Sequence, residues 1–191
     1  CIVSGRTNSS VGDATGYHGG SDMLVVKLSS TLTIDWAKCF GGTETEEGNS
    51  IVQLTDGSYA VLGYSSTQNN GDITGHHSPQ GADDYWLVKL DSGGNIVWEK
   101  SLGGTKNEET HNTFQAGNGS YIVVGNTMSN DGDITTNHGN SDIWVVKLQD
   151  STVGISESED PNPILLFPNP NNGRFDLRNP GPEELTISIV N

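Results

Sequence analysis

The sequence predicts an all-β protein built from antiparallel repeats of about 60 residues. A Gly-Asp segment occurs three times at nearly constant spacing, beginning at Gly12, Gly71 and Gly132. An apolar segment that ends in Lys-Leu follows each of them, and an aspartate opens it at Asp22, Asp84 and Asp142. No stretch shows the 3.6-residue apolar period of an amphipathic helix. Several markers that return in one fixed register indicate a repeat architecture.

Each repeat is predicted to form four short strands. The first is almost continuously apolar, which is typical of a strand buried on both faces. The second carries a tryptophan, the third is weaker, and Asp-Gly or Asn-Gly before the fourth favours a hairpin turn. The four strands cover about residues 23–28, 33–40, 50–54 and 59–64, then 85–90, 95–102, 112–115 and 121–126, and the first strand returns at 143–148.

Four antiparallel strands per repeat, arranged radially, are typical of a β-propeller blade. The first five residues align with the fourth strand, Gly5 matching Gly63 and Gly125, so Cys1 occupies a strand position. The predicted units are a partial blade 1–7, full repeats at about 8–66 and 67–128, and a partial blade 129–148. Because propellers close with about four to eight blades, we expect a piece of a longer protein. Closure by self-association, or an open stack of sheets, is the lesser alternative.

The chain changes character after Leu148. Residues 149–163 are acidic and contain proline, which is typical of a linker. An apolar segment, a tight turn and an alternating segment then cover residues 164–177, and a second alternating segment covers 185–190. We therefore expect a small β-sandwich to begin within residues 164–191.

The turn in this tail resembles the opening of the type A C-terminal sorting domain of the type IX secretion system. The matching residues are Phe167, Pro168, Asn169, Pro170, Gly173, Phe175 and Leu177. That family belongs to Bacteroidetes-type bacteria. The resemblance implies that the protein crosses the periplasm, has the type IX machinery as its partner, and is secreted or attached to the outer membrane at the cell surface.

The repeats, over about residues 1–148, resemble the propeller-like repeats of large exported proteins in the same bacteria. The shared pattern is Gly-Asp, then His-Gly, an Asp-x-Trp-Val-Val-Lys-Leu strand, a tryptophan strand and Gly-Gly. A more distant similarity links them to pyrroloquinoline-quinone-type propeller repeats. These resemblances imply a fold and a cellular location but no catalytic activity, because one fold supports many functions.

The charge balance excludes several partners. Against 24 Asp and Glu stand 9 Lys and Arg, for a formal net charge of -15. Binding of nucleic acid phosphates needs a basic surface, and so does binding to an anionic membrane surface. No apolar run approaches the roughly 20 residues of a membrane-spanning helix. An acidic chain of this kind suits an exposed extracellular protein.

The candidate site residues lie in the loop before the first strand of each repeat. They are Asp13, His18, Asp22, Asp72, His77, Asp84, Asp131, Asp133, His138 and Asp142. Loops rich in Asp, Asn and Gly suit a hard cation such as calcium, whereas histidine favours a transition metal. Alternatively, the aspartates cap backbone N–H groups and each histidine hydrogen-bonds within its loop or across to an aspartate. The sequence favours this second interpretation over a calcium site.

Other recurrent residues are expected to be structural. The acidic pairs at Glu46 and Glu108 return in register, and a catalytic pair has no reason to repeat in every blade, so we expect solvated loops. The tryptophans should pack between blades (Trp36, Trp98) or in the core (Trp86, Trp144). The strand lysines should form ion pairs between blades at Lys27, Lys89 and Lys147.

We therefore expect a secreted or cell-surface protein whose propeller is a non-enzymatic scaffold for structure or for binding a glycan or protein. No nucleophile elbow, phosphate loop, zinc motif or dinucleotide fingerprint occurs. One alternative is a fragment of an exported propeller enzyme, a hydrolase or quinone-type oxidoreductase, with its active site in other blades. Another is a calcium-stabilised adhesive or stalk module. Cys1 and Cys39 leave both free thiols and a disulfide open.

Overall fold

The computed structural model divides the chain into two units, residues 1–150 and 151–191, and describes residues 1–79, 81–117 and 119–149. The described residues contain no helix, so none is available to span a membrane. The predicted sorting segment, 164–191, lies outside them, as does nearly all of the predicted linker. The strands are β1 (Ile2–Thr7), β2 (Asp22–Leu28), β3 (Ile34–Phe40), β4 (Glu46–Gln53), β5 (Tyr59–Ser65), β6 (Asp84–Leu90), β7 (Ile96–Leu102), β8 (Glu108–Gln115), β9 (Tyr121–Thr127) and β10 (Asp142–Leu148).

The strands form three antiparallel sheets, so the predicted all-β class is confirmed. The first sheet has the order β1-β2-β3, the second β4-β5-β6-β7 and the third β10-β9-β8. The chain passes between sheets at Gly41-Gly42 and again at Gly103-Gly104. Each border therefore falls inside a sequence repeat, and β1 shares a sheet with β2 instead of standing in a blade of its own. A repeated sequence defines a period, whereas the sheet borders depend on which strands pair.

The second sheet is buried on both faces. Every residue of β6 is buried, as expected for an almost continuously apolar strand. The same expectation is wrong for β2 and β10, which are only partly buried because each lies in an outer sheet with one face uncovered. On one face of the second sheet, Trp86 packs in a core with Met23 and Val25 of the first sheet. On the other, Tyr85 packs in a core with Tyr121 of the third sheet. The three sheets thus stack face to face through two apolar layers.

The hairpins repeat in detail from sheet to sheet. In the β2–β3 and β6–β7 turns, the same repeat position has a left-handed backbone, at Leu32 (φ 63) and Gly94 (φ 73). Both hairpins also shift register at the strand lysine, between Lys27 and Leu28 and between Lys89 and Leu90. The repeat in the sequence is therefore also a repeat in the three-dimensional structure.

Candidate functional site

The three loops that precede β2, β6 and β10, here called the Asp-His loops, are each closed by one aspartate. The backbone N–H of the loop histidine donates to Oδ2 of the aspartate that opens the next strand. The N–Oδ2 distance is 2.8 Å for His18 with Asp22, 2.6 Å for His77 with Asp84 and 2.5 Å for His138 with Asp142. The ring Nδ1 lies 2.9, 3.3 and 3.3 Å from the same oxygen, in that order. Each aspartate therefore fixes both the backbone of its loop and the orientation of the imidazole ring.

The other ring nitrogen of the histidine faces the next repeat. His18 Nε2 lies 3.7 Å from Oδ2 of Asp72, and His77 Nε2 lies 3.7 Å from Oδ2 of Asp133. Asp72 and Asp133 belong to the Asp-His loop of the following sheet. Each imidazole is thus placed between the carboxylates of two neighbouring sheets, which the sequence spacing alone did not show.

The accepting aspartates also anchor the chain where it passes between sheets. Oδ2 of Asp72 accepts the N–H of Gly41 at 3.1 Å, and the N–H of Asp72 donates to the Gly41 carbonyl at 2.9 Å. Asp133 makes the same two bonds with Gly103, at 3.1 and 2.9 Å. The preceding Gly71 has φ 60, and a Cβ there would lie 2.2 Å from the Gly41 carbonyl oxygen. This close approach explains why glycine precedes aspartate in the repeat.

The first glutamate of each acidic pair is buried, and the expectation of a solvated loop is wrong for it. Glu46 is 0% exposed and Glu108 is 1% exposed. Oε2 of Glu46 accepts the N–H of Gly42 at 2.8 Å, and Oε1 accepts the Ser65 hydroxyl at 2.7 Å. Glu108 makes the equivalent bonds, including one of 2.7 Å from Thr127 Oγ1. Burial raises the pKa of both carboxyls.

Strand alternation explains this error. The third strands were predicted to begin at about residues 50 and 112, but β4 begins at Glu46 and β8 at Glu108. The two glutamates of each acidic pair are therefore consecutive strand residues, and their side chains point to opposite faces of the sheet. Glu47 accordingly lies near the surface, 3.4 Å from Arg6 and 3.2 Å from the hydroxyl of Tyr64. The available signal was the acidic pair recurring at a constant distance from Gly-Gly, which indicates a role of the pair in that turn.

The strand-opening aspartates differ in one bond. Asp22 and Asp84 are both 0% exposed. Oδ1 of Asp84 accepts the Ser78 hydroxyl at 2.5 Å. Gly19 occupies the Ser78 position in the first loop, and Oδ1 of Asp22 has no hydrogen-bond partner within the described residues. The sequence analysis did not predict a role for Ser78. The residue directly after the loop histidine is serine only in this loop, and it is glycine in the other two.

The remaining predicted ligands lie apart from one another. Asp13 is exposed, and Asp131 accepts hydrogen bonds from the N–H and hydroxyl of Thr105, at 2.8 and 2.7 Å. These hydrogen bonds lower the pKa of Asp131. In the described part of the chain, no three His, Cys, Asp or Glu side chains form a group that could hold a metal ion. The calcium site stays a prediction, and the geometry assigns most of these aspartates to hydrogen bonds of the protein itself.

The tryptophans contribute to stacking as expected. Trp36 Nε1 donates to the Ser92 carbonyl of the second sheet at 3.3 Å, and Trp98 meets Tyr121 of the third sheet edge to face at 5.4 Å between ring centres. Trp86 is fully buried. Trp144 is half-buried and packs against the core shared with the second sheet, 4.8 Å from the Tyr85 ring. The core prediction is therefore confirmed for Trp86 and only in part for Trp144.

The strand lysines do not all behave as predicted. Lys89 lies 3.3 Å from Asp56, which belongs to the preceding sequence repeat but to the same sheet. The predicted ion pair with a loop carboxylate is therefore present for Lys89, and it joins two sequence repeats within one sheet because strands of both repeats share that sheet. Lys27 Nζ donates to the Leu28 carbonyl at 3.3 Å. The cysteines, Cys1 and Cys39, are both free thiols.

The described residues also form an open cleft without an obvious catalytic group. It is lined by Arg6, Thr7, Asn8, Gly20, Ser21 and Thr45. These side chains include no carboxylate, imidazole or thiol, the groups that most often act as general acid, base or nucleophile.

No protein-family model and no curated protein matches this chain. The feature of the chain's own geometry that bears most on function is the placement of His18 and His77 between aspartates of adjacent sheets.

Proposed function

We propose that this chain is part of a secreted or cell-surface bacterial protein whose stacked sheets form a non-enzymatic, propeller-type scaffold. One observation carries the scaffold proposal. The residues best suited to chemistry, the imidazoles of His18 and His77, recur in register and lie between aspartates of neighbouring sheets. An active site is normally built once, whereas a contact that holds repeats together must recur at every border.

A radial arrangement is supported by the equivalence of the sheet borders. The contacts of Asp72 with Gly41 repeat as those of Asp133 with Gly103. When successive sheets are related by the same contacts, the rotation from one to the next is also the same. Regular rotation of antiparallel sheets about a common axis is the arrangement found in a propeller.

The export part of the proposal is supported by the tail motif alone. Phe167, Pro168, Asn169 and Pro170 match the opening of a type A sorting domain, and Gly173, Phe175 and Leu177 continue the match. The motif lies outside the described residues. It makes the type IX machinery the expected export partner, with delivery through the periplasm to the cell surface.

The export proposal is tested by expressing the protein from its natural gene in a bacterium with a type IX system. We expect the protein at the cell surface or in the medium, and in the periplasm when the outer-membrane translocon is deleted. Replacing Asn169 and Pro170 together by alanine should cause the same retention, with Asn179→Ala as a control within the tail. Surface delivery without the translocon would overturn the export proposal.

The scaffold proposal has a separate test. Replacing His18, His77 and His138 together by glutamine should lower the unfolding midpoint of the purified chain, because two borders lose a contact. A triple variant with an unchanged midpoint would contradict the scaffold role and favour a chemical role for the histidines. Glycan arrays and protein capture with the intact chain then address the binding side of the proposal.

A further inference from the structure

The exposed surface of the third sheet carries apolar side chains, and two of them, Ile143 and Val145, occupy positions that are buried in the other two sheets. The apolar residues of this third-sheet outer face are Phe114, Ile122, Val124, Ile143 and Val145, and the strand pairing places Asn112, Asn126 and Lys147 on the same face. Ile143 is 64% exposed and Val145 is 38% exposed. Single exposed apolar residues are common, but a contiguous cluster on one sheet face indicates a contact surface.

The repeat register identifies what such a face contacts. Ile143 and Val145 follow Asp142 as Met23 and Val25 follow Asp22 in the first sheet. Met23 and Val25 are 0% exposed because they pack in the core shared with the second sheet. The corresponding residues of the second sheet pack in the same way in the core shared with the third. The third-sheet outer face is therefore equivalent to two faces that are buried in sheet stacking.

The complementary face is also present in the chain. At the first border, Met23 Cε would lie 2.9 Å from a Cβ placed on Gly63, so the side chain occupies the space above that glycine. At the second border, the ring of Tyr85 takes the same place above Gly125. The equivalent glycine of the first sheet is Gly5, which has no atom within 4 Å of its Cβ direction.

The face of the first sheet that carries Gly5, here called the first-sheet outer face, surrounds the open space at this glycine with apolar residues. Val3 is 45% exposed, and Leu24 and Val26 of the adjacent strand are half-buried. Gly5 pairs with Leu24 and Val3 with Val26, so these residues share one face of the sheet. The face therefore has the shape and polarity that Ile143 and Val145 require.

The charged groups follow the same pattern. Each internal border places the Nε2 of a loop histidine 3.7 Å from an aspartate of the next loop. In the described residues, His138 has no such aspartate from a following loop, and Asp13, which heads the first loop, has no histidine from a preceding one. Both side chains belong to exposed residues. The two outer faces thus carry the two halves of one further His–Asp contact.

We propose that a second copy of this chain covers the third-sheet outer face, by docking its first-sheet outer face there head to tail. Ile143 of one copy lies over Gly5 of the other, and His138 of one faces Asp13 of the other. The contact repeats the borders between the three sheets of a single chain. Because the two faces differ, the association is heterologous and produces rings if the rotation closes and filaments if it does not.

The experiment measures the mass of the purified 191-residue chain by light scattering and sedimentation from about 1 µM to about 1 mM. We expect a mass that rises with concentration to dimers and larger multiples. Ile143→Lys and Gly5→Arg should each abolish the rise. Ile143 is exposed, and Gly5 is half-buried with open space at its Cβ, so the far-ultraviolet spectrum and the melting temperature should remain those of the parent. Gly117→Arg, another glycine with open space at its Cβ, is the matched control and should still associate.

Mixing the two defective variants is the decisive step. The Ile143→Lys chain keeps an intact first-sheet outer face, and the Gly5→Arg chain keeps an intact third-sheet outer face. Their mixture should therefore form dimers and nothing larger, although neither associates alone. The polar contact should have a smaller effect, with His138→Ala raising the dissociation constant about two- to fivefold.

Three results would overturn the proposal. The first is a parent chain that stays monomeric over the whole concentration range, as it would if its own residues 151–191 covered the face. The second is association of Gly5→Arg alone, which would indicate that two third sheets pair with each other. The third is a mixture of Ile143→Lys and Gly5→Arg that stays monomeric while the parent associates.

Discussion

The Nε2 atom of His77 lies 3.7 Å from the Asp133 carboxylate, whereas its Nδ1 atom lies 3.3 Å from Asp84. Asp84 opens a strand of the second sheet, and Asp133 lies in the loop that leads into β10 of the third sheet. One imidazole therefore contacts the carboxylates of two sheets. The same arrangement relates His18 to Asp22 and Asp72, so it is a property of the sheet border and not of one loop.

We expect a double-mutant cycle on His77 and Asp133 to give a coupling energy of about 0.3–1 kcal/mol, because both side chains are partly exposed. Urea denaturation of His77→Ala, Asp133→Ala and the double variant measures it. A cycle on His18 and Asp133, which belong to different borders, is the control, and equal coupling in both cycles would contradict the assignment.

The buried carboxyl of Glu46 should make stability fall as the pH rises. Burial raises the pKa of Glu46 in the folded chain, so the folded state keeps a proton that the unfolded state has already released. From the ordinary glutamate pKa upward through the raised folded value, the free energy of unfolding therefore decreases with pH. The slope from one such group reaches at most about 1.4 kcal/mol per pH unit.

Glu46→Gln should remove this contribution and keep both hydrogen bonds, with the amide oxygen accepting from Gly42 and the amide group donating to Ser65. Denaturation midpoints measured across the pH range should fall less steeply for Glu46→Gln than for the parent chain. Glu109→Gln, an exposed position in the second acidic pair, should leave the slope unchanged. Parallel profiles for the parent and Glu46→Gln would show that this carboxyl titrates normally.

The strand glycines should differ in their tolerance of a methyl group. A Cβ on Gly63 would lie 1.8 Å from the Glu47 carbonyl oxygen, and one on Gly125 would lie 2.1 Å from that of Glu109. A backbone atom cannot move aside as a flexible side chain does, so each alanine should cost about 3 kcal/mol or more. Gly5→Ala, at the equivalent position with open space, should change the free energy of unfolding by less than about 0.5 kcal/mol. Chemical denaturation of dilute samples decides this, and equal losses at all three sites would refute it.

The chain should be more stable with glycine than with Leu32 at the left-handed position of the β2–β3 turn. Leu32 has φ 63 and is 73% exposed, so its side chain contributes little burial to offset the backbone strain. Leu32→Gly should stabilise the chain by about 1 kcal/mol. Gly94→Ala is the reciprocal change and should destabilise it, because its Cβ would also lie 2.9 Å from the Trp36 ring. Thermal melting of both variants measures the effect, and a loss of stability in Leu32→Gly would argue against the strained turn.

Calcium should leave the melting temperature unchanged. Both carboxylate oxygens of Asp84 already accept hydrogen bonds, Oδ2 from the His77 backbone and Oδ1 from Ser78, and calcium requires about six to eight oxygen ligands. Melting in about 5 mM calcium and in excess chelator tests this expectation. A calcium-dependent rise that Asp133→Ala with Asp142→Ala abolishes would establish the predicted site.

The repeat period and the strand types were predictable because they depend on local patterns. The apolar run around Trp86 indicated a strand buried on both faces, and every residue of β6 is buried. The recurrence of aspartate and histidine in register also favoured hydrogen bonds over a single site. These inferences need only neighbouring residues and their spacing.

The sheet borders and the facing of each side chain depend on contacts between residues distant in the chain. Sequence markers could not show that β5 pairs with β6 of the next repeat, nor that Glu46 faces inward while Glu47 lies near the surface. The same holds for His77, because its second aspartate partner, Asp133, lies 56 residues later in the sequence. Spacing determines which side chains share a face only once the register is known. Register and stacking follow from hydrogen bonding and apolar burial summed over whole sheets.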